Sequence, residues 1–374
     1  MSKPKWLKTS YLKAKLAQSV CRRFPAKGSS STNRVLITST DGLGDTFLRL
    51  SLVLDVCNQY GFDNVWVLTK GHSKLIYEKL GVQTILYSDR MRTSVSKRLG
   101  LLKKIDLIDF HSLYCFEFIR NEDLAEIIKC PVKIGFNNPY IPLHDTMVDQ
   151  VVDNPGYVGD ALANMQTQLN LSTTTPLMDN QLTFSKQLFD CHRPNAAPAD
   201  SLRVLFAVGA ADKARMMRIS NITKLLSNAL EAFPDIKIEL IGSGERDEHY
   251  ANQIMEDLKS TQLSSRISQW SIIETVEQVK TTDIVVGFDS GIYNLAFTLK
   301  KPTLCLAAEN QRVLHQVSWV QVAVGTDIEF GIADSYGCTR TNSISEQDFT
   351  KQLDELVLLA TSNNQQAAAK HSDL

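Results

Sequence analysis

Short apolar, β-branched runs alternate with stretches of helical apolar spacing along the first part of the chain. The run at 34–39 precedes a glycine-bearing turn and a helical stretch that stops at Gly61. Further strands are predicted at 64–69, 83–87, 105–110 and 132–136, with helices at 72–80, 91–104 and near 121–129. Strands that alternate with helices of this length form a parallel sheet covered by helices.

The same alternation weakens over 138–200 and then restarts. In the second part, strands are predicted at 202–209, 236–242, 283–288 and 302–307, and helices at 219–232, up to 259, at 274–281, up to 299 and at 345–360. The Pro, Ala and Asp content around 192–200 is typical of a linker between domains. The pattern therefore predicts two α/β domains.

The length of 374 residues agrees with two domains, since single cores stop growing at roughly 250–300 residues. The predicted fold class is α/β with two Rossmann-like domains whose parallel sheets face a central cleft. The predicted segments are a basic arm (1–33), a first Rossmann-like domain (34–190), a linker (191–201), a second Rossmann-like domain (202–361) and a disordered tail (362–374). Loops at the carboxyl ends of the strands are the expected ligand sites.

Charge is distributed unevenly along the chain. Residues 1–34 hold nine Lys or Arg and no acid, so the remainder has 31 basic and 41 acidic residues, a net charge of −10. Apolar residues interleave with the basic ones: Trp6, Leu7, Tyr11, Leu12, Leu16 and Val20. This arm is either an interfacial helix on an anionic membrane or a solvated, partly disordered tail. Nucleic acid is not an expected partner, because the basic charge is confined to the terminus.

The cysteines and the hydropathy narrow the class of protein. The seven cysteines are scattered and never spaced as CxxC, which argues against a zinc ribbon or a disulfide framework and favours the cytoplasm. No apolar run reaches the roughly 18 residues of a membrane-spanning helix.

The first candidate site is the turn DGLGD at 41–45, which follows the first strand. Gly42 and Gly44 permit a tight turn that exposes N–H groups at the start of a helix. Asp45 either caps this helix or acts chemically at the strand's carboxyl end.

Two further candidate sites follow strands of the second domain. The loop at 209–218 gathers Lys213, Arg215 and Arg218, which suits a diphosphate, although a solvated basic loop has the same composition. The turn IGSGERDE at 241–248 contains Gly242 and Glu245. Glu245 is positioned to accept hydrogen bonds from ribose hydroxyls, but a tight turn with solvated acids has the same sequence.

The fourth candidate site is the turn Asp289-Ser290-Gly291, which follows a buried strand and opens a helix. Such a helix start binds anions, although a plain N-cap at Asp289 has the same sequence. The chain has no DxD motif, no metal-ligand spacing, no GxSxG and no GxGxxG, so we expect neither a metal nor a nicotinamide cofactor.

Taken in order, these motifs resemble glycosyltransferase family 9, the family of bacterial lipopolysaccharide heptosyltransferases. The resemblance covers most of 34–345 and rests on the early strand with its GD, the lysine-bearing loop, the LxGxGE-like turn and the DSGxxxLA helix followed by a KPT strand. It implies a GT-B fold and sugar transfer from a nucleoside-diphosphate sugar with inversion, without a metal. It also implies that the domain at 34–190 binds the acceptor and that the domain at 202–361 binds the nucleotide sugar. It also implies a lipid-linked saccharide acceptor at the inner face of the cytoplasmic membrane.

The resemblance assigns roles to individual residues. Asp45 is similar to the family's general base and Lys213 to its phosphate-binding lysine, which together form the expected catalytic pair. Glu245 corresponds to the ribose ligand and Trp270 to the loop beside the base. The complete expected donor-binding set is Gly44, Arg215, Gly242, Glu245, Trp270, Asp289, Ser290, Gly291 and Asn294.

Two positions depart from the family pattern near the expected donor. Asn294 stands where heptosyltransferases usually have a histidine, and AAEN at 307–310 replaces a glycine-proline-threonine motif. An ADP-sugar is favoured by the resemblance. The departures leave two alternatives, which are a GT-B enzyme that uses a UDP- or GDP-sugar and a degenerate member that binds a glycan or partner without transfer.

Overall fold

The computed structural model describes residues 9–118, 121–137, 147–153, 158–171, 201–308, 317–325 and 341–372. The chain divides into two compact units, Met1–Asn180 and Gln181–Leu374. The predicted linker at 191–201 lies outside the described residues except for Ser201.

The first unit is built on a six-stranded parallel sheet. Its strands are β2 (Val35–Ser39), β3 (Val65–Thr69), β4 (Gln83–Leu86), β5 (Ser112–Cys115), β7 (Val132–Phe136) and β8 (Gln150–Val152), in the spatial order β4-β3-β2-β5-β7-β8. The helices are α2 (Leu43–Tyr60), α3 (Gly71–Lys79), α4 (Asp89–Thr93), α5 (Val95–Ile108), α6 (Glu122–Ile127) and α7 (Val158–Gln168). Counting from β2, this is the 3-2-1-4-5-6 order of the Rossmann fold, whose topological switch point lies between β2 and β5.

One strand prediction in this unit is wrong. The segment 105–110 belongs to helix α5 as far as Ile108, and the strand beside β2 is β5. The apolar residues of 101–105 continue the helical period, with Leu101, Leu102 and Ile105 buried. Asp109 then ends the helix in a left-handed conformation, with φ of 64°.

Residues 9–33 of the basic arm are an ordered part of the first unit. Helix α1 (Thr9–Arg23) packs against α4, α5 and α6, and strand β1 (Ala26–Lys27) pairs in parallel with β6 (Ile128–Lys129). Ala17 and Cys21 are fully buried. Over residues 9–33, the arm is therefore a folded helix and strand rather than a disordered tail, and Trp6 and Leu7 lie outside the described residues.

The second unit repeats the topology of the first. Its strands are β9 (Leu202–Ala207), β10 (Ile236–Ile241), β11 (Leu263–Ser265), β12 (Ile284–Phe288), β13 (Thr303–Ala308) and β14 (Val320–Gly325), in the parallel order β11-β10-β9-β12-β13-β14. The helices are α8 (Ile219–Ala232), α9 (Glu245–Leu258), α10 (Ile272–Thr281), α11 (Gly291–Thr298) and α12 (Glu346–Ser372). The switch point lies between β9 and β12.

The end of the chain differs from the prediction. Helix α12 continues to Ser372, across most of the tail that the polar composition predicts to be disordered. The helix packs against α8, β13 and β14, and Phe349, Leu353, Leu356 and Ala360 join the core of this unit. Across the described residues, none of the helices combines the length and the apolar character needed to cross a bilayer.

Candidate functional site

A buried arginine organises the switch point of the first unit. Arg49 of α2 has no solvent exposure, and both of its terminal nitrogens bind the carboxylate of Asp41 in the turn after β2, Nη1 at 2.6 Å from Oδ2. Nη1 also donates to the Phe116 carbonyl after β5 at 2.8 Å, and Nη2 donates to Ser39 Oγ at 3.1 Å. One side chain therefore ties together the loops that follow β2 and β5.

The electrostatics of this pair favour the charged form. Burial alone lowers the pKa of Arg49, but the Asp41 carboxylate more than reverses this effect, so the pKa lies above its ordinary value. A guanidinium held in this way keeps its charge, and it orients Asp41 through two parallel hydrogen bonds.

Glu117 is a second carboxyl group at the same point, and unlike Asp41 it is buried. It accepts hydrogen bonds from Thr38 Oγ1 at 2.6 Å, Thr40 N at 3.1 Å and Thr40 Oγ1 at 2.9 Å. Asn121 extends the network by donating to Thr40 Oγ1 at 3.1 Å. Burial and the nearby charge of Asp41 raise the pKa of Glu117.

Asp45 lies beside this network, in the first turn of α2. Its Oδ2 accepts a hydrogen bond from the Gly42 N–H at 3.3 Å, so the capping interaction considered from the sequence is present. The side chain is half-buried, and Gly44 beside it is buried. His72 lies close to Asp41, and burial followed by the charge of Lys70 lowers its pKa.

An ion pair joins two of the predicted site loops at the switch point of the second unit. Arg215, at the end of the 3₁₀ turn Lys213–Arg215, places Nη1 3.0 Å from Oδ2 of Asp289, which directly follows β12. Burial raises the pKa of Asp289, and the guanidinium of Arg215 partly offsets this rise. The structure thus brings together two residues that the sequence assigned to donor binding.

The helix start beside this pair offers groups suited to an anion. Ser290 is the N-cap of α11, and its Oγ is buried without a hydrogen-bond partner among the described residues. Gly291 is the first residue of the helix, and the N–H of Asn294 donates to the Ser290 carbonyl at 3.1 Å. An orphaned hydroxyl beside a positive helix end is suited to an anionic ligand.

The glycines after β9 and β10 make room for a side chain of the unit itself. A Cβ atom at Gly209 would lie 2.2 Å from Asp247 Oδ2, and one at Gly242 would lie 2.8 Å from the same atom. Asp247 is buried, accepts from Ser243 N at 3.0 Å and pairs with Arg246 at 3.0 Å. Internal packing therefore accounts for Gly242, and its predicted donor contact stays a prediction.

The other predicted donor residues lie on loops at one edge of the second sheet. Lys213 follows β9 and is exposed, Glu245 follows β10 as the exposed first residue of α9, and Trp270 follows β11 and is half-buried. Because the strands are parallel, all three loops leave the same edge as Asp289. Of AAEN at 307–310, the last two residues lie outside the described residues.

Sequence reasoning missed Arg49, Glu117 and His72. A signal existed for Arg49, since it is the lone charge in the largely apolar run 46–54, and a buried charge requires a partner. Glu117 likewise stands between two phenylalanines in the sequence, and the structure places it just after β5. Nothing local distinguishes His72.

Comparison with known proteins supports the fold that the motifs predict. No protein-family model matches the chain. A curated relative, lipopolysaccharide heptosyltransferase 1 of Campylobacter coli, is 26% identical over 104 residues, and the match spans 28% of this chain and only 30% of the relative.

Solved structures match over much more of the chain. The E. coli heptosyltransferase WaaC with ADP-2-deoxy-2-fluoro heptose has a TM-score of 0.63 at 13% identity and covers 86% of this chain and 99% of its own. The glycosyl transferase family 9 protein of Veillonella parvula has a TM-score of 0.63 at 12% identity, covering 87% and 97%. The S. aureus MnaA-UDP structure has a TM-score of 0.55 at 13% identity, covering 87% and 88%. This chain therefore has the GT-B fold of the glycosyltransferase family 9 heptosyltransferases.

Proposed function

We propose that this protein is an inverting, metal-independent glycosyltransferase that moves a sugar from a nucleoside-diphosphate sugar to a lipopolysaccharide-core or related surface-glycan acceptor. The observation that carries the proposal is the position of the motif loops. The loops after β2, β9 and β12 lie at the topological switch points, where open α/β sheets bind ligands, and the turns after β10 and β11 leave the same edge of the second sheet.

The second unit is the proposed donor-binding unit. Arg215, Lys213 and the orphaned Ser290 hydroxyl at the start of α11 supply the positive and hydrogen-bonding groups that a diphosphate needs. The same groups stabilise the negative charge that develops when the bond between the anomeric carbon and the phosphate oxygen breaks. Glu245 and Trp270 are the proposed partners of the ribose and the base.

The first unit is the proposed acceptor-binding unit, with Asp45 as general base. The acceptor hydroxyl attacks the anomeric carbon as its proton passes to the Asp45 carboxylate, and the nucleoside diphosphate leaves. An ADP-sugar donor, with heptose as a candidate sugar, is supported by the fold shared with heptosyltransferases. We propose a lipid-linked acceptor reached from the cytoplasmic face of the membrane.

The substitution Asp45→Asn tests the base directly. We expect it to abolish transfer and to leave nucleotide binding nearly unchanged, because an amide has the same shape but accepts no proton. Asp63→Asn is the matched control, since Asp63 is an exposed carboxylate of the same unit away from the switch point. Turnover near that of the wild type in Asp45→Asn would refute the assignment.

A second candidate is a GT-B enzyme with a UDP- or GDP-sugar donor, favoured by the similarity to the UDP-bound structure and by Asn294. Thermal-shift measurements with ADP, UDP and GDP separate the donors, because a ligand stabilises the folded state according to its affinity. A non-catalytic protein predicts no stabilisation by any of the three.

A further inference from the structure

Basic residues are concentrated on three helices of the first unit that pack against one another. Helices α1, α4 and α5 contain ten Lys or Arg, four in α1, two in α4 and four in α5, against the two acids Asp89 and Asp106. The rest of the chain has 30 basic and 39 acidic residues, a net charge of −9. Arg98 is buried beside Asp123, and the other nine cations are exposed. These three helices therefore form a strongly cationic group, whereas the rest of the chain is net acidic.

Helix α1 has two different faces. Ala17, Gln18 and Cys21 are buried against the unit. Leu12 and Leu16, one turn apart, lie on the opposite face, where they are 58% and 61% exposed. On a surface helix whose only role is to pack against the core, the solvent-facing positions are typically polar.

Cations surround the two exposed leucines of α1. Lys13 and Lys15 lie between them in sequence and are exposed, and Arg23, about three turns after Leu12, lies on the same outward face. The helix contains no acid. The outward face thus combines aliphatic and cationic side chains.

Helix α5 repeats this arrangement. Leu101, Leu102 and Ile105 are buried, whereas Leu107 is 77% exposed and the nearby Lys103 and Lys104 are exposed as well. The outward residues of α1 and α5 are called the α1–α5 surface below. Two adjacent helices independently place leucines among lysines on their solvent side.

We propose that the α1–α5 surface docks the protein on an anionic phospholipid bilayer. The lysines and arginines meet the negative surface potential, and Leu12, Leu16 and Leu107 enter the boundary between headgroups and acyl chains. The anionic bilayer repels the rest of the chain, which has a net negative charge. This repulsion orients the protein with helices α1 and α5 toward the bilayer. A nucleic-acid backbone would use the cations but not the exposed leucines.

The proposal predicts that both classes of side chain contribute to binding. Each cation near an anionic membrane is worth about 1 kcal/mol, a change of roughly fivefold in the partition coefficient. Lys13→Gln with Lys15→Gln should therefore weaken binding by about 30-fold. Leu12→Gln with Leu16→Gln should weaken it by at least tenfold, because buried aliphatic groups are lost.

The experiment is sedimentation of the full-length protein with two kinds of vesicle, phosphatidylcholine alone and phosphatidylcholine mixed with phosphatidylglycerol. We expect binding to the mixed vesicles only, weakened by salt and by both double substitutions. Lys351→Gln and Leu358→Gln are the matched controls, because both residues are exposed on helix α12 of the second unit. These two variants should bind as the wild type does.

Several outcomes would overturn the proposal. These are equal binding to both kinds of vesicle, no binding to either, and weakening by the control variants as large as that by the α1 variants. Full binding by the leucine double variant would show adsorption by charge alone and refute docking through the leucines. A monomer–dimer equilibrium that the leucine substitutions abolish without vesicles would assign the surface to a second copy of this chain. The inference does not rest on the proposed transfer. Vesicle binding and nucleotide binding can be measured separately on the same variants, so a failure of one proposal is distinguishable from a failure of the other.

Discussion

The packing of Asp247 against two glycines makes a quantitative prediction for Gly209→Ala. The new Cβ would lie 2.2 Å from Oδ2, 2.7 Å from Cγ and 2.8 Å from Oδ1 of Asp247, so the carboxylate must move. Its neighbours oppose the movement, since Ser243 N donates to Oδ2 at 3.0 Å and Arg246 Nη2 donates to Oδ1 at 3.0 Å. The substitution therefore brings a methyl group into steric conflict with the Asp247 carboxylate, which is buried and held in place by its hydrogen bonds.

The expected cost follows from these contacts. Overpacking of this kind costs about 1–3 kcal/mol, and a lost hydrogen bond to a charged group costs about 1.5–3 kcal/mol. Gly209 does not have a positive φ, so alanine fits the backbone there. Because alanine also restricts the unfolded chain, it raises the free energy of unfolding by about 0.4–1 kcal/mol, which partly offsets the loss. The net loss in the free energy of unfolding should be about 3 kcal/mol.

A double-mutant cycle isolates the cause. In an Asp247→Ala background the opposing carboxylate is absent, so Gly209→Ala should be neutral or slightly stabilising, and the coupling energy should reach about 2 kcal/mol or more. Gly100→Ala is the control, because Gly100 lies within α5 and a Cβ atom added there would have nothing within 4 Å. Urea unfolding measures all four variants. An equal cost of Gly209→Ala in both backgrounds would refute the reasoning.

Three further predictions concern the two switch points. Arg49→Met should lower the free energy of unfolding, measured in urea, by about 3 kcal/mol. This value is at the lower end for breaking a buried ion pair, because solvent reaches Asp41. A loss below about 1 kcal/mol would contradict the role of Arg49 in organising the switch point. Burial raises the pKa of Glu117, so the folded state keeps a proton that the unfolded state releases, and stability falls as pH rises between the ordinary glutamate pKa and the raised value. Glu117→Gln should remove this part of the fall in unfolding measurements across that window, and an unchanged pH profile would count against it. Arg215→Gln should change the free energy of unfolding by less than about 1 kcal/mol, because the ion pair with Asp289 is partly exposed. In calorimetry the same substitution should weaken nucleoside-diphosphate binding by about tenfold or more. Unchanged binding would show that Arg215 is not part of the donor site.

The two-unit α/β architecture was predictable from the sequence because its signals are local. Alternating strand and helix periods identify the elements, and a parallel sheet requires every motif that follows a strand to lie at the same edge. The boundaries of α8 were predicted at 219–232 and observed at Ile219–Ala232. The error at 105–110 arose because a short apolar run has the same composition at the end of a buried helix as in a strand.

The partners of the site residues depended on the tertiary structure. Arg215 and Asp289 are 74 positions apart, and Glu117 bonds Thr40 across 77 positions, so no local period connects them. The same holds for Gly209. A side chain at this position would collide with Asp247, which lies on the helix after the next strand. By itself, the sequence determined that the motif loops leave the carboxyl ends of the strands, because the order of strand, turn and helix along the chain is a local property. Only the tertiary structure decided which charges in those loops are buried and paired, because burial and pairing depend on residues distant in the chain.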